Sequence, residues 1–475
     1  MRWITLILLL TPFTLPATHL PLTPTDSLIF DHTFNLRFEQ ALHIAKREQS
    51  LKPDIPKYFF MEAAIHFSQR AYVSATGPYA TRHARRDSLM DLILEITEPA
   101  IDKFEDREWD DEQKMFLAGL YGYQGRVYAE REEWWNTFTN GLKGRRLLNA
   151  LYEEDPENYD ALLGLGIFNY YSDRLSGVIG FVARALGFSG NREEGIRMLK
   201  LCFENAELTK SEAAITLIDI YDTFENNERD ARPYFEWVIG TYPQNWLVKD
   251  WYLNRMMNIG RFDLIRPYFN DPGETILEVT RGRYAYELCR FDSACVHYGR
   301  ALEKPQLLSP FQRQWSAYNM RIMRILDGNC IADNTSALLP WMERDLAHFE
   351  KNRDKLAAFM RFKCRLNKGA FPDIPDSYVT HPPFTAGDPF FDGWFSYIMS
   401  SYYTNAQNWD KAEHYAWKAI KELSAVFGGG SAKNLIYIYK QTRPGQKKYQ
   451  RLKKFIDKQG YEKLAFQLRD IAPGK

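Results

Sequence analysis

Residues 214–243, AITLIDIYDTFENNERDARPYFEWVIGTYP, decide the fold of this chain more clearly than any other stretch. Apolar residues recur at helical spacing on one face of the first half, at Ala214, Leu217, Ile218 and Tyr221. The spacing returns after a polar turn, at Ala231, Phe235 and Val238. Proline cannot continue a helix, so Pro243 ends the second half. The segment predicts two antiparallel helices joined by a short turn.

Two other segments repeat this design. Residues 275–305 place Gly282 at the small position of a first helix, and the second helix carries Ala294, Tyr298 and Ala301. Near the C-terminus the same order is given by Met399, Tyr403, Ala412, Ala416 and Ala419. Such pairs in about 34 residues are typical of tetratricopeptide repeats. We therefore predict an all-α fold, a right-handed superhelical solenoid of antiparallel helix pairs. A separate C-terminal helical module after Trp394 is the alternative.

The N-terminus has the features of an export signal. Arg2 is followed by an apolar run, residues 3–10, which is too short to span a bilayer, and by Pro12 and Pro16. We predict a signal peptide at residues 1–18 and a periplasmic or extracellular mature chain. No cysteine lies nearby, so a lipoprotein is not expected. A retained anchor or a buried first helix is the alternative.

The remaining chain is divided by composition. Residues 30–370 are assigned to the solenoid, and residues 394–475 to a C-terminal helical repeat and cap. Between them, residues 371–393 contain five prolines, which favour a loop. This proline- and aromatic-rich loop would be either a strap across the solenoid groove or a hinge. Gly428, Gly429 and Gly430 are interpreted as a turn that ends a helix.

A more specific pattern covers residues 126–196. It reads RVYAEREEWW at 126–135, NGLKG at 140–144, EDP at 154–156, YDALLGLGIFNYY at 159–171 and NREEGI at 191–196. This order resembles a family of bacterial exported or envelope tetratricopeptide-repeat proteins, in which a tryptophan pair and a Gly-Lys-Gly turn precede these elements. The resemblance implies a fold and an envelope location. It implies no assigned reaction or ligand, and so no catalytic residue.

Composition and motifs argue against several functions. The chain has 61 basic and 61 acidic residues, whereas nucleic-acid binders usually show a basic excess. Its nine histidines are not spaced as metal ligands, and no nucleophile-elbow motif occurs. We therefore expect no enzyme activity, cofactor, metal or nucleic-acid partner.

The residues around the tryptophan pair form the predicted binding site. Adjacent helical positions cannot both face inward, so one of Trp134 and Trp135 should reach the surface. Aromatic and arginine side chains are frequent interface hot spots. The predicted site comprises Arg131, Trp134, Trp135, Lys143, Arg145, Arg146, Tyr159, Tyr170 and Tyr171. The alternative interpretation is that these aromatic residues pack between helices.

These features favour a non-catalytic scaffold of the bacterial envelope that binds a protein or peptide. The high aromatic content, 15%, keeps a carbohydrate-binding or carbohydrate-processing protein as the alternative. The apolar segment from Ser176 to Gly190 (residues 176–190) would be either a short helix filling the core or an exposed contact for a partner or a membrane surface.

The five cysteines lack the spacing of a zinc site. The simplest interpretation is that they are small buried residues in helices. If any pair is oxidised, we predict Cys289 with Cys295, because a helix–helix turn would bring them close together.

Overall fold

The structure is a computed structural model. It describes residues 22–175, 177–185, 187–225, 227–331, 337–368, 374, 379, 382–385, 387–468 and 471, which are called the described residues below. The predicted signal peptide, residues 1–18, lies outside them.

The described residues are helical, without a strand, so the predicted all-α fold is confirmed. Helices up to residue 205 are α1 (Pro24–Phe34), α2 (Phe38–Leu51), α3 (Lys57–Ala75), α4 (Arg82–Phe104), α5 (Asp111–Glu130), α6 (Trp134–Glu154), α7 (Ala161–Arg174), α8 (Gly177–Ala185) and α9 (Arg192–Asn205). The next are α10 (Lys210–Asp219), α11 (Glu228–Thr241), α12 (Trp246–Asn258), α13 (Phe262–Asn270), α14 (Glu278–Glu287), α15 (Phe291–Leu302) and α16 (Pro310–Asp327). The last are α17 (Pro340–Lys351), α18 (Arg353–Asn367), α19 (Pro389–Asn405), α20 (Trp409–Thr442), α21 (Gln446–Gln459) and α22 (Glu462–Leu468). None of the helices in the described part of the chain combines the length and apolar character needed to cross a membrane.

Local sequence explains where many helices begin and end. Ser309 starts α16 with a capping box, in which its hydroxyl accepts from the Gln312 N–H and the Gln312 side chain accepts from the Ser309 N–H. Pro310 follows at the first helical position, where no N–H is needed. Gly328 ends the helix in the left-handed conformation that glycine adopts without strain.

In five helix pairs of the described part of the chain, the same turn leads to an aromatic residue; a similar turn at Gly460 leads to Glu462 instead. Each of the five turns has one residue with positive φ, and these residues are Leu36, Glu132, Gly260, Cys289 and Gln407. In every case the following N–H donates to the carbonyl five residues earlier, as in a Schellman motif. In these five pairs the second helix starts two positions after the left-handed residue, with an aromatic side chain: Phe38, Trp134, Phe262, Phe291 or Trp409. One local design is thus used repeatedly.

The described residues form two compact units. The first contains residues 22–71 and Asp87–Leu217. Within it, α7 and α9 cross at two glycines, because a Cβ atom on Gly195 would lie only 2.7 Å from the carbonyl oxygen of Gly166. Small residues at this crossing allow the two backbones to approach.

The second unit contains Tyr72–Arg86 and the chain from Ile218 onward. A large buried cluster runs through it from Ala285 to Leu468 and is rich in aromatic rings. Phe359 is fully buried in it, with its ring centroid 4.2 Å from that of Trp394 and 5.3 Å from that of Phe384. Aromatic packing of this kind contributes beyond simple area burial.

The boundary predicted for the proline- and aromatic-rich loop is wrong at its C-terminal end. Helix α19 begins at Pro389, not at Trp394, because proline is tolerated at the first helical position. The Asp388 carboxylate caps this helix by accepting from the N–H of Phe390 at 3.1 Å. Phe384 is fully buried, so this part of the segment belongs to the core. Most of residues 369–381 lie outside the described residues.

The interpretation of the three glycines at 428–430 as a turn is also wrong. They lie inside α20, which runs without interruption from Trp409 to Thr442. A Cβ atom on Gly430 would lie 2.6 Å from the ring of Tyr397. Glycine is therefore used here for close packing, since no side chain fits at this position.

Disulfide bonds connect parts of the second unit that are distant in sequence. Cys289 is bonded to Cys364 on α18, and Cys295 is bonded to Cys330, which follows α16. The predicted Cys289–Cys295 pair is wrong. Cys289 lies in a turn, whereas Cys295 is already in the second turn of α15, and each faces a different neighbour. Cys202 is free and buried.

This pairing predicts the thiol content of the purified protein. Denaturation without reductant should expose one alkylatable thiol, that of Cys202, and reduction should raise the number to five. Burial raises the pKa of the Cys202 thiol, so this group should react slowly until the chain unfolds. Mass spectrometry after alkylation measures all three states. Five reactive thiols without reductant would contradict the pairing.

Candidate functional site

The predicted turn at residues 140–144 is helical. These residues lie in the middle of α6, and the two glycines serve packing. A Cβ atom on Gly144 would lie 3.2 Å from the carbonyl oxygen of Ala118, and one on Gly141 would lie 2.8 Å from the Phe188 ring. The prediction of a Gly-Lys-Gly turn is therefore wrong, because sequence alone does not separate a packing glycine from a turn glycine.

Three cationic residues of the predicted site lie on α6 in different environments. Lys143 forms an ion pair with Glu105 at 2.8 Å. The Arg145 guanidinium lies 4.4 Å from the centroid of the Phe168 ring. Arg146 is exposed. Lys143 and Arg145 thus have intramolecular partners, and Lys143 and Arg146 are both exposed.

The two adjacent tryptophans differ in exposure. Trp135 is 70% exposed, whereas Trp134 packs against Phe138 with 6.3 Å between ring centroids. Arg131 donates to an Asp91 carboxylate oxygen at 2.5 Å. Trp135 is therefore a large exposed aromatic side chain in this part of the first unit.

The three predicted tyrosines are not equivalent. Tyr170 is fully buried, so its assignment to a binding surface is wrong, and burial agrees with the alternative interpretation for this residue. Tyr171 contacts it edge-to-face, at 5.2 Å between centroids. Tyr159 is partly buried at the start of α7. The structure therefore does not bring the nine predicted residues together as one surface.

The apolar segment at residues 176–190 is buried on one side and exposed on the other, so features of both predicted alternatives are present. It contains α8, whose Ala183 is buried, and Phe188, whose ring lies 4.2 Å from that of Phe168. The other face exposes Ile179, Phe181 and Val182. One side fills the core, and contact of the other side with a partner or a membrane stays a prediction.

The second unit contains a cavity of about 660 Å³ that the sequence analysis did not predict. Helices α12, α14, α16, α17, α18 and α19 contribute most of its lining. Its volume is within the range of typical ligand sites, about 300–1,000 Å³. We call it the aromatic cavity because eleven of its lining residues are aromatic: Phe262, Tyr286, Phe311, Trp315, Tyr318, Trp341, Phe390, Trp394, Tyr397, Tyr402 and Phe427.

One wall consists of rings from α16 and α17. The centroid of Trp315 lies 5.7 Å from that of Tyr318 and 6.5 Å from that of Trp341. The Tyr318 hydroxyl donates to a carboxylate oxygen of Asp345 at 3.3 Å. Trp341 and Asp345 are four residues apart on α17, so both point to the same side of that helix.

A polar wall joins α12 to α14. Asn254 donates to Asp250 and to the hydroxyl of Thr280, each at 3.1 Å, and Arg283 donates to Asn258 at 2.6 Å. Burial raises the pKa of the Asp250 carboxyl to about 6, although the hydrogen bonds from Thr280 and Asn254 and the Arg283 charge oppose this. Asp250 is therefore still partly protonated at about pH 6.

A third wall contains an ion pair that links α14 to α18. Lys363 lies 2.7 Å from a carboxylate oxygen of Glu287, which also accepts from Asn367 at 3.2 Å. The Lys363 ammonium lies 5.2 Å from the Tyr286 ring centroid and 5.8 Å from that of Trp394. These charges satisfy one another within the wall.

Sequence reasoning missed this cavity because its walls come from helices up to about 150 residues apart. The available signal was weak: Trp315, Trp341 and Trp394 lie in three separate helical segments, and no local pattern relates them. Only Phe390 and Trp394 fell near a predicted candidate, the proline- and aromatic-rich loop. In comparisons with known proteins, no family model matches the chain, and no curated protein matches it.

Proposed function

We propose that this chain is a non-catalytic scaffold that binds a protein or peptide segment in the aromatic cavity. The observation that carries the proposal is the lining: eleven aromatic side chains with a few polar groups around about 660 Å³. Aromatic residues are enriched where proteins bind partners, because they supply large contact area at low entropic cost. The polar groups would set the orientation of the bound segment.

The repeated turn supports an assignment of the helix pairs to tetratricopeptide-like repeats. Five pairs share a left-handed residue followed two positions later by an aromatic residue that starts the second helix. The next inward position, three residues further, is buried alanine in three of them: Ala41, Ala294 and Ala412. Repeats of this kind stack into solenoids that present extended binding surfaces. A right-handed superhelix is therefore part of the proposal.

Export to the bacterial envelope is also proposed. Two disulfides connect the second unit, and disulfides persist mainly in oxidising compartments. The sequence of residues 1–18 and the resemblance to exported tetratricopeptide-repeat proteins agree with this location.

A pair of tryptophan substitutions tests where the partner binds. Trp341→Ala removes a ring from the aromatic cavity, and Trp135→Ala removes the exposed ring of the sequence-predicted site. Loss of a binding hot spot weakens affinity by about 2 kcal/mol or more, or about thirtyfold. We expect Trp341→Ala to lose partners captured from envelope extracts by the full chain, and Trp135→Ala to retain them.

Thermal melting of both variants controls for misfolding. Loss of capture with Trp135→Ala alone would move the site to the α5–α6 region of the first unit. Equal capture by both variants and the wild type would refute a peptide site at either place.

Carbohydrate binding is the second candidate, because three tryptophans and several amide side chains line the same cavity. The rings could stack on sugars, and the amides could form hydrogen bonds with sugar hydroxyl groups. Binding to a glycan array that is lost in Trp341→Ala would favour this function over peptide capture.

A further inference from the structure

The wall formed by α16 and α17 combines three aromatic rings with a carboxylate. The ring centroids of Trp315, Tyr318 and Trp341 are separated by 5.7, 5.7 and 6.5 Å. One point can therefore lie within the ~6 Å of all three centroids over which a ring attracts a cation. Asp345 is beside these rings, since it accepts from the Tyr318 hydroxyl.

Two carboxylates of the lining interact with basic side chains only through longer-range charge: burial raises the pKa of Asp345 and of Asp250, and the charges of Arg344 and His348 oppose this at Asp345 as that of Arg283 does at Asp250. Asp345 and Asp250 form no ion pair with lysine or arginine within the described part of the chain. The two basic residues of the lining are engaged elsewhere, Lys363 with Glu287 and Arg283 with the side chains of Asn254 and Asn258. Three carboxylates against two cations leave the lining with a formal charge of −1.

We infer that the aromatic cavity takes the ammonium or guanidinium group of a lysine or arginine side chain on a peptide partner, held between Trp315, Tyr318, Trp341 and Asp345. The inference rests on the proposed function and deepens it, because it names the chemistry by which the peptide is recognised. The ring faces provide cation–π attraction, and the carboxylate provides a charge-assisted hydrogen bond.

Small model compounds test this recognition with the full chain. N-acetyl-lysine methylamide and N-acetyl-arginine methylamide present the cation, and N-acetyl-norleucine methylamide presents an uncharged side chain of similar length. Titration calorimetry should show binding of both cationic compounds that is at least about tenfold tighter than that of norleucine, as cation–π and carboxylate contacts together provide. Choline chloride, tested in parallel, separates a preference for amino-acid side chains from a preference for small quaternary ammonium ions.

Two isosteric substitutions on α17 provide the matched comparison. Asp345→Asn keeps the side-chain shape and can still accept from Tyr318, but it removes the charge, so lysine binding should weaken about tenfold. Glu343→Gln removes a charge two residues away, where the carboxylate pairs with Arg321 and does not line the cavity. The Glu343→Gln variant should bind the lysine compound with the same affinity as the wild type.

The pH dependence gives an independent measurement. A bound cation stabilises ionised carboxylates, so binding releases a proton wherever a lining carboxyl is still protonated. With the pKa of Asp250 near 6, affinity for the lysine compound should rise between about pH 5 and pH 7 and then level off. Burial also raises the pKa of Asp345, although the Tyr318 hydrogen bond and the charges of Arg344 and His348 oppose this, so Asp345 acts in the same direction as Asp250.

Equal affinity for norleucine and lysine compounds, or unchanged lysine binding in Asp345→Asn, would overturn the inference. Tighter binding of choline than of either amino-acid compound would also overturn it, in favour of a small-molecule ligand. If partner capture depends on Trp341 but not on Asp345, the inference of cation recognition is wrong, whereas the proposed peptide-binding function is retained. Capture that depends on neither residue would refute the proposed function itself.

Discussion

Replacing Cys289 and Cys364 together with serine should lower the free energy of unfolding by about 4.5 kcal/mol, by the chain-entropy relation for a loop of this length. The bond closes a loop between residues 75 positions apart, so its loss gives the unfolded chain much more conformational freedom. The bond between Cys295 and Cys330 spans 35 positions and should contribute less, about 3.8 kcal/mol by the same relation. The two loops overlap, so their effects should not add.

Urea denaturation followed by circular dichroism measures this effect. Cys202→Ser is the matched control, since it makes the same replacement at a buried cysteine outside any disulfide. Reductant should destabilise the wild type strongly, and it should destabilise the Cys289→Ser/Cys364→Ser variant less, because only one disulfide remains to be broken. A double variant that unfolds at the same urea concentration as the wild type would contradict the expected contribution of this bond.

Replacing Gly195 with alanine should destabilise the first unit by about 3 kcal/mol, at the upper end of typical overpacking costs. The added Cβ would lie 2.6 Å from the backbone nitrogen of Tyr170 and 2.7 Å from the carbonyl oxygen of Gly166. Both atoms belong to the backbone of α7, so the clash can be relieved only by moving α7 and α9 apart. Van der Waals contact along both helices would then be lost.

Gly240→Ala is the control for the alanine substitution itself. Gly240 is also helical, in α11, and a Cβ atom there would have no neighbour within 4 Å. Alanine at this position should stabilise the protein by about 0.4–1 kcal/mol, because it restricts the unfolded chain. The two variants should therefore shift the melting temperature in opposite directions. Shifts of the same sign and size would show that the α7–α9 crossing can relax.

The positions of helices could largely be predicted from the sequence because helix formation depends on neighbouring residues. The apolar spacing from Ala214 to Val238 correctly indicated two helices, and capping residues such as Ser309 mark ends through bonds to residues three positions away. The difference in exposure between Trp134 and Trp135 also follows from helical geometry alone. These features need no knowledge of distant parts of the chain.

The structural role of individual glycines could not be predicted from neighbouring residues alone. Gly144 and Gly430 were interpreted as parts of turns, and each lies within a continuous helix where a neighbouring element leaves no room for a Cβ atom. The same residue type ends α16 at Gly328, where the backbone is left-handed. The residue is glycine both inside a helix and at a helix end, and only the packing of neighbouring elements distinguishes the two roles.

By itself, the sequence determined an all-α chain of helix pairs, because periodicity, capping and proline placement act within a few residues. Only the tertiary structure decided which cysteines are bonded and which side chains surround the aromatic cavity. Cys289 is six residues from Cys295 but bonds to Cys364, and Trp315 meets Trp341 across two helices. Such contacts depend on how helices pack, which is set by the summed shape of many side chains. No short stretch of the chain contains that information.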